Sequence, residues 1–208
     1  MKVTIISGSH RQNSQSMKVA EFMKNTLLDQ QDCDQVDILD LACSFNSAPI
    51  PLWDEGIWRG EPQWLEVLQP ISNALDESDA FVIISPEYHG QVPSALRNFF
   101  LMWGKGELAH KPAMLVGVSS ADGGATPIAE LRMSSYKNNR ICYIPEQIII
   151  RNVESVLNDQ ESDNNAEADD YFRNRIAFSL TILKEYALAL QQVRASGLTF
   201  HENYKNGM

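Results

Sequence analysis

The sequence predicts an α/β domain built on a five-stranded parallel sheet with helices on both faces. Three observations predict it. Short apolar runs alternate along the chain with stretches of helical periodicity, which is the pattern of repeated strand–helix–strand units. The runs at 80–85 and 114–118 are almost continuously apolar, as strands buried on both faces must be. Three of the runs end in loops rich in small, hydroxyl or proline residues, at 8–16, 86–93 and 119–125.

Taken in order, residues 2–7 read as the first strand. Gln15 to about Leu28 reads as a helix with Met17, Ala20, Phe22 or Met23, and Leu27 on one side, capped by Ser14 or Ser16. Gln35–Leu41 is the second strand, followed by an irregular stretch at 48–55. Pro62 to about Asp76 forms the next helix, with Pro70 expected to kink or break it. The strand at 80–85 leads to a helix from Pro93 to about Trp103. The strand at 114–118 leads to a helix from Pro127 to Tyr136, and 146–150 is the last strand. Residues 152–170 are polar and acidic and read as a surface loop with little to bury. A long helix at 171–194 and a tail at 196–208 complete the chain. Five strands in a chain of 208 residues suit the flavodoxin-like three-layer sandwich of strand order 2-1-3-4-5.

The length predicts one domain over 1–195. A net charge of -10 argues against nucleic acid or an anionic membrane as partner. No apolar run is long enough to cross a bilayer, and the first residues read as a buried strand rather than a signal peptide. Three cysteines without metal-type spacing suggest idle thiols in a reducing cytoplasm, and no metal site is expected.

In such sheets ligands sit at the carboxyl ends of the strands, beside the first strand, and the three loops meet there. The loop at 8–16 offers Ser9, Arg11, Asn13, Ser14 and Ser16 before a helix N-terminus. These are the directed donors that a doubly charged phosphate needs. There is neither a glycine-lysine P-loop nor a GxGxxG motif, which disfavours a nucleoside triphosphatase or a dinucleotide site. In the second loop Tyr88 can pack on a flat ring, with backbone N–H groups near Gly90 facing the ring edge. His89 is expected to make shape or surface contact rather than act as acid or base. Arg97 and Asn98 are expected to tie this loop down. In the third, Ser119 precedes Gly123 and Gly124, which allow close backbone approach.

Four pieces in order resemble the NADPH-dependent FMN reductase family, the flavodoxin-like quinone, azo-dye and chromate reductases. They are Gly8-Ser9-His10-Arg11 with Ser14 and Ser16; Pro51-Leu52-Trp53-Asp54-Glu55; Pro86-Glu87-Tyr88 with Pro93-Ser94-Ala95-Leu96-Arg97-Asn98; and Ser119 with Gly123-Gly124 and the helix ending in Leu131-Arg132. The resemblance implies that Ser9, Arg11, Ser14, Gln15 and Ser16 bind the FMN phosphate. It implies that Pro86, Glu87, Tyr88, His89 and Gly90 line the ribityl chain and ring, and that Ser119, Gly123 and Gly124 close over the ring. No side chain is given a catalytic role, because the flavin carries the chemistry. NADPH or NADH is the implied donor and a small molecule the acceptor, in a homodimer or homotetramer. The chain departs from the usual family pattern at His89, where Asn is common, and at Arg97, where Lys is usual. It departs again over Phe99–Trp103, where an Asp often serves the dimer interface. The apolar replacement suggests a greasier interface. Arg59, Arg132 or Arg140 are candidates for the 2′-phosphate of NADPH. Two other readings share the fold: an acidic flavodoxin-type electron carrier without a nicotinamide site, and a regulatory module that binds no flavin.

Overall fold

A computed structural model describes residues 1–31, 33–44 and 49–205. Ala48 of the irregular stretch and residues 206–208 of the tail lie outside them. The strands are β1 (Lys2–Ser7), β2 (Gln35–Asp40), β3 (Ala80–Pro86), β4 (Pro112–Val118) and β5 (Cys142–Ile150). All pair in parallel, in the order β2-β1-β3-β4-β5. This is the flavodoxin-like sandwich expected from the alternation of apolar runs.

The pleat sends alternate strand residues into two cores. Val82 and Ile84 of β3, with Met114 and Val116 of β4, pack under α1 (Gln15–Asp29) and α6 (Ala166–Ala195). Phe81, Ile83 and Leu115 pack on the other face. There they meet α3 (Pro62–Asp76), α4 (Ser94–Met102) and α5 (Ala125–Met133).

Several boundaries differ from the sequence reading, each for a local reason. A short helix, α2 (Glu55–Arg59), lies within the stretch read as irregular. Asp54 caps it, accepting the Gly56 N–H at 2.8 Å, and Gly60 ends it at φ 69°. Pro70 does not interrupt α3. It is exposed, so water can satisfy the carbonyl that its missing N–H leaves free. α5 starts two residues before Pro127, which the first turn tolerates, and ends at Met133 rather than Tyr136. β5 begins at Cys142, not 146. As an edge strand it absorbs Pro145 in an irregularity between the Ala113–Tyr143 and Leu115–Gln147 pairs.

The segment at 152–170 is the larger correction. Its acidic stretch at 159–163 is exposed as expected, yet Val153, Val156 and Leu157 are buried in the core under α1. Lys18 of α1 ties them down, its Nζ donating to the carbonyls of Val153 (2.7 Å) and Val156 (2.8 Å) and to Asn158 Oδ1 (2.8 Å). α6 starts at Ala166, five residues before the expected Tyr171, because Asn165 accepts the Ala168 N–H. Of the apolar run Phe99–Trp103, Phe99, Met102 and Trp103 go into the core, leaving Leu101 exposed.

Lys111 is buried and donates to the carbonyls of Leu75, Asp76 and Glu107 at 2.7–2.8 Å, closing the C-terminus of α3. Burial pulls its pKa down from 10.5 to about 8. Between those values the unfolded chain holds a proton that the folded chain has lost, so stability rises with pH across that window. We expect the unfolding free energy of the wild type, relative to Lys111→Met, to rise from pH 8 to 10.5. The slope is at most about 1.4 kcal/mol per pH unit, the value for one proton. Denaturant titrations at half-unit steps would show no such slope if the ammonium stayed charged.

Candidate functional site

The carboxyl ends of β1, β3 and β4 bring the three loops to one rim. Gly8 leaves β1 by donating its N–H to the Ile84 carbonyl at 2.9 Å. A Cβ at this position would come 2.5 Å from that same oxygen, so only glycine lets the two strand ends approach this closely. The chain then turns through Asn13 at φ 51° into α1, where Ser14 Oγ accepts the Met17 N–H at 3.2 Å. Ser14 is therefore the cap, and Ser16 is not.

Tyr88 to Gln91 form a tight two-residue hairpin turn. Tyr88 and Gln91 exchange backbone hydrogen bonds of 3.2 and 3.0 Å, with His89 at φ 53° and Gly90 at φ 72°. Positive φ at both central residues is what such a turn requires. The turn is fixed from two sides. Glu130 accepts the Val92 N–H at 3.0 Å and pairs with Arg97 at 2.7 Å, so Arg97 does brace this loop. Asn98 instead braces the segment after β2, donating to Pro51 O at 2.8 Å and accepting Trp53 N–H at 2.7 Å.

A cavity of about 150 Å³ opens between the loops. Of the residues expected to bind a ligand, Arg11, Ser14, Gln15, Ser16, Pro86, Glu87, Tyr88 and Ser119 line it. The others lie behind its wall or beyond it. Ser9 is fully buried and its hydroxyl joins the first two loops, bonding Tyr88 Oη at 2.8 Å and accepting Arg11 N–H at 3.1 Å. His89 is exposed at the tip of its turn, with Gly90 beside it. Gly124 donates its N–H to Glu87 and packs against Gly117, while the Gly123 carbonyl accepts Arg151 Nε at 3.1 Å. Both glycines thus fit the third loop against β4 and Glu87 rather than facing the cavity.

Asn13, Val118, Ser120 and Glu154 also line the cavity. Glu154 escaped sequence reading because it sits in the segment taken for a detached loop; the apolar Val153, Val156 and Leu157 around it were the available signal. Of the arginines considered for a nicotinamide 2′-phosphate, Arg59 pairs with Glu55 at 2.7 Å. Arg132 is occupied by Gln147 Oε1 and Ile144 O, both at 2.8 Å. Arg140 precedes β5, at the opposite edge of the sheet.

The electrostatics of the cavity are set by orphaned groups. Ser16 is 1% exposed, and its Oγ has no hydrogen-bond partner among the described residues; the same holds for Gln15 Oε1. A buried hydroxyl without a partner costs free energy unless a ligand supplies one. The positive end of α1 lies at the same place, and Arg11 extends an exposed guanidinium over it. The Ser16 hydroxyl and a positive helix end with no acceptor of their own suit a phosphate, whereas Gln15 Oε1 can only accept.

A doubly wound sheet with a phosphate-type cradle at its switch point defines a flavodoxin-like mononucleotide-binding protein. The chain belongs to the NADPH-dependent FMN reductase family, whose sequence model matches residues 1–155. An FMN-dependent NADPH-azoreductase of Staphylococcus saprophyticus is 30% identical over 134 residues, 64% of this chain and 68% of that one. A 2-hydroxy-1,4-benzoquinone reductase of a Burkholderia species is 22% identical over 191 residues, 90% and 94% of the two chains. The fold is similar to that of the flavoenzyme NAD(P)H:(acceptor) oxidoreductase of Paracoccus denitrificans. That match has a TM-score of 0.68 at 18% identity and covers 90% of this chain and 97% of that one. Membership in this family makes the protein an oxidoreductase of the NADPH-dependent FMN reductase class, and the electron-carrier reading is not favoured. The residues present fit the cofactor's phosphate, since the orphaned Ser16 hydroxyl and the α1 N-terminus lack the acceptor it brings.

Proposed function

We propose that one domain spanning 1–195 holds FMN at the rim of the sheet and reduces small-molecule acceptors of the quinone or azo type. Bound flavin supplies the transfer of electrons from the nicotinamide to the acceptor. The chain's own residues bind and orient it. Ser16 Oγ and the first-turn N–H groups of α1 hold the phosphate, Arg11 adds a charged contact, and Ser14 keeps the helix end in place. Tyr88 and the backbone of the His89–Gly90 turn flank the ring, with Pro86 and Glu87 along the ribityl chain and Ser119 opposite. Ser9, Gly123 and Gly124 serve by fixing these loops against one another. The observation that carries this reading is the buried, unpartnered Ser16 hydroxyl at a helix N-terminus inside the shared cavity.

The acceptor class follows from the relatives, which are named for azo and quinone substrates. Among the described residues no helix is long and apolar enough to cross a membrane, and the proposed compartment is the cytoplasm. The proposed assembly is a homodimer or homotetramer. Trp58 and Leu101, 59% and 54% exposed, share one surface cavity and give a second subunit an apolar face to cover. The test is to purify the full chain, saturate it with FMN and follow NADPH oxidation with a benzoquinone and no partner protein. Steady turnover is expected. A protein that retains FMN yet turns over only when a carrier partner is added would contradict it.

A further inference from the structure

A second cavity, about 470 Å³ in volume, opens at the foot of the sheet, beneath the amino ends of β4 and β5. Seven residues of β4 at about 3.3 Å each separate it from the flavin rim, so the two sites lie roughly 20 Å apart. The chain carries a net charge of -10, yet this cavity is lined by the cations Lys105, Arg140, Arg194 and Lys205, beside the imidazole of His110, and among the described residues by no acidic one. Such a concentration of cations on an acidic protein is unfavourable unless something neutralises it.

The cations are partly free. Arg140 donates through Nη2 alone, to the carbonyls of Tyr204 and Lys205, which leaves Nε and Nη1 without a partner among the described residues. Arg194 donates to His110 O at 3.0 Å and reaches Asp79 only at 3.6 Å. Lys105 is exposed, lines both this cavity and the neighbouring one of Trp58 and Leu101, and pairs with no carboxylate among the described residues. His110 Nε2 is buried and has no hydrogen-bond partner among the described residues. Burial and the neighbouring Arg140 and Arg194 hold this imidazole below its ordinary pKa, despite a hydrogen bond to the Thr199 backbone that raises it.

The backbone is strained at the same place. His110 and Arg140 stand at φ 56° and 57°, and the His110 N–H donates to the Arg140 carbonyl at 2.9 Å. Two adjacent non-glycine residues in the left-handed region cost free energy, and such strain concentrates at ligand sites. Both residues line the cavity.

We propose that this pocket binds a small soluble molecule carrying a phosphate or pyrophosphate group. The free Nε and Nη1 of Arg140, which lie on different edges of the guanidinium, can each donate singly to a phosphate oxygen, and the Arg194 and Lys105 charges add to the attraction. The volume is that of a small-ligand site, and Phe200 at the rim offers a ring face to the rest of the molecule. The overall negative charge opposes docking on an anionic lipid surface and favours a soluble source. The inference is independent of how flavin is held at the other edge.

The probe is inorganic pyrophosphate, titrated calorimetrically into the full chain saturated with FMN, so that the flavin-phosphate site is filled. Saturable binding at one site per chain is expected. Arg140→Gln should weaken it at least tenfold and Lys105→Ala severalfold, while NADPH oxidation stays at the parent rate in both. Ser16→Ala, with FMN still saturating, should leave it unchanged. Lys105 is exposed, so its variant decides the matter if Arg140→Gln does not fold. Absence of saturable binding, binding indifferent to both variants, or binding only to phosphatidylserine vesicles would each overturn the proposal.

Discussion

An Arg11→Ala, Ser16→Ala double variant is expected to bind FMN roughly a hundredfold more weakly than the parent while unfolding no more easily. Hydrogen bonds to a charged group contribute about 1.5–3 kcal/mol each, and the loss of about 3 kcal/mol for the pair corresponds to two decades in affinity. The stability half of the expectation is the more telling. Among the described residues the buried Ser16 Oγ has no hydrogen-bond partner, and the exposed Arg11 side chain makes no hydrogen bond or ion pair. Replacing a buried unpartnered hydroxyl by hydrogen, as serine to alanine does, removes a desolvation cost. The flavin-free variant should therefore match or exceed the parent in thermal stability. A residue kept for packing would show the reverse: lower stability and unchanged flavin affinity. Fluorescence titration of FMN and calorimetric unfolding of the flavin-free protein measure the two quantities separately.

Gly8→Ala is expected to cost both stability and flavin, with a destabilisation of about 3 kcal/mol or more. Its Cβ would sit 2.5 Å from the backbone oxygen of Ile84 and 2.8 Å from Leu96 Cδ2. The Ile84 oxygen belongs to the central strand and cannot rotate away, so β1 and β3 must part at their carboxyl ends. Breaking the Gly8–Ile84 hydrogen bond there also shifts Ser9, whose hydroxyl holds Tyr88. Loss of one buried backbone bond plus overpacking accounts for the magnitude. Chemical denaturation gives the stability change, and flavin retention on gel filtration gives the other. A variant as stable as the parent would mean that the strand ends are not in contact as described.

The parts of the fold legible in the sequence were those with strong periodicity. The apolar runs at 80–85 and 114–118 read as strands buried on both faces, and five strands alternating with helices in a chain of this length suited the order that the sheet shows. Elements were missed where one residue type outweighed its neighbours. Pro70 suggested a break, and the last strand was started only after Pro145, but a solvent-facing helix position and an edge strand tolerate proline. Five consecutive polar residues at 159–163 concealed the anchoring of Val153, Val156 and Leu157 by Lys18, a contact between residues more than a hundred positions apart.

At the site, the loop residues were legible because donors, a helix start and glycines gather in three short stretches. Their division of labour was not. Ser9, Gly123 and Gly124 have the composition of ligand contacts, yet their partners are Tyr88, Glu87, Arg151 and Gly117, which only the fold brings near. The cation-lined pocket at the foot of the sheet was equally hidden, since Lys105, His110, Arg140 and Arg194 come from four separate segments.

The most direct measurement is a crystal structure of the full chain with FMN. The phosphate is predicted to accept hydrogen bonds from Ser16 Oγ and the first-turn N–H groups of α1, with the ring against Tyr88 and the His89–Gly90 turn. A phosphate seated elsewhere, with Ser16 Oγ still unpartnered, would contradict the account.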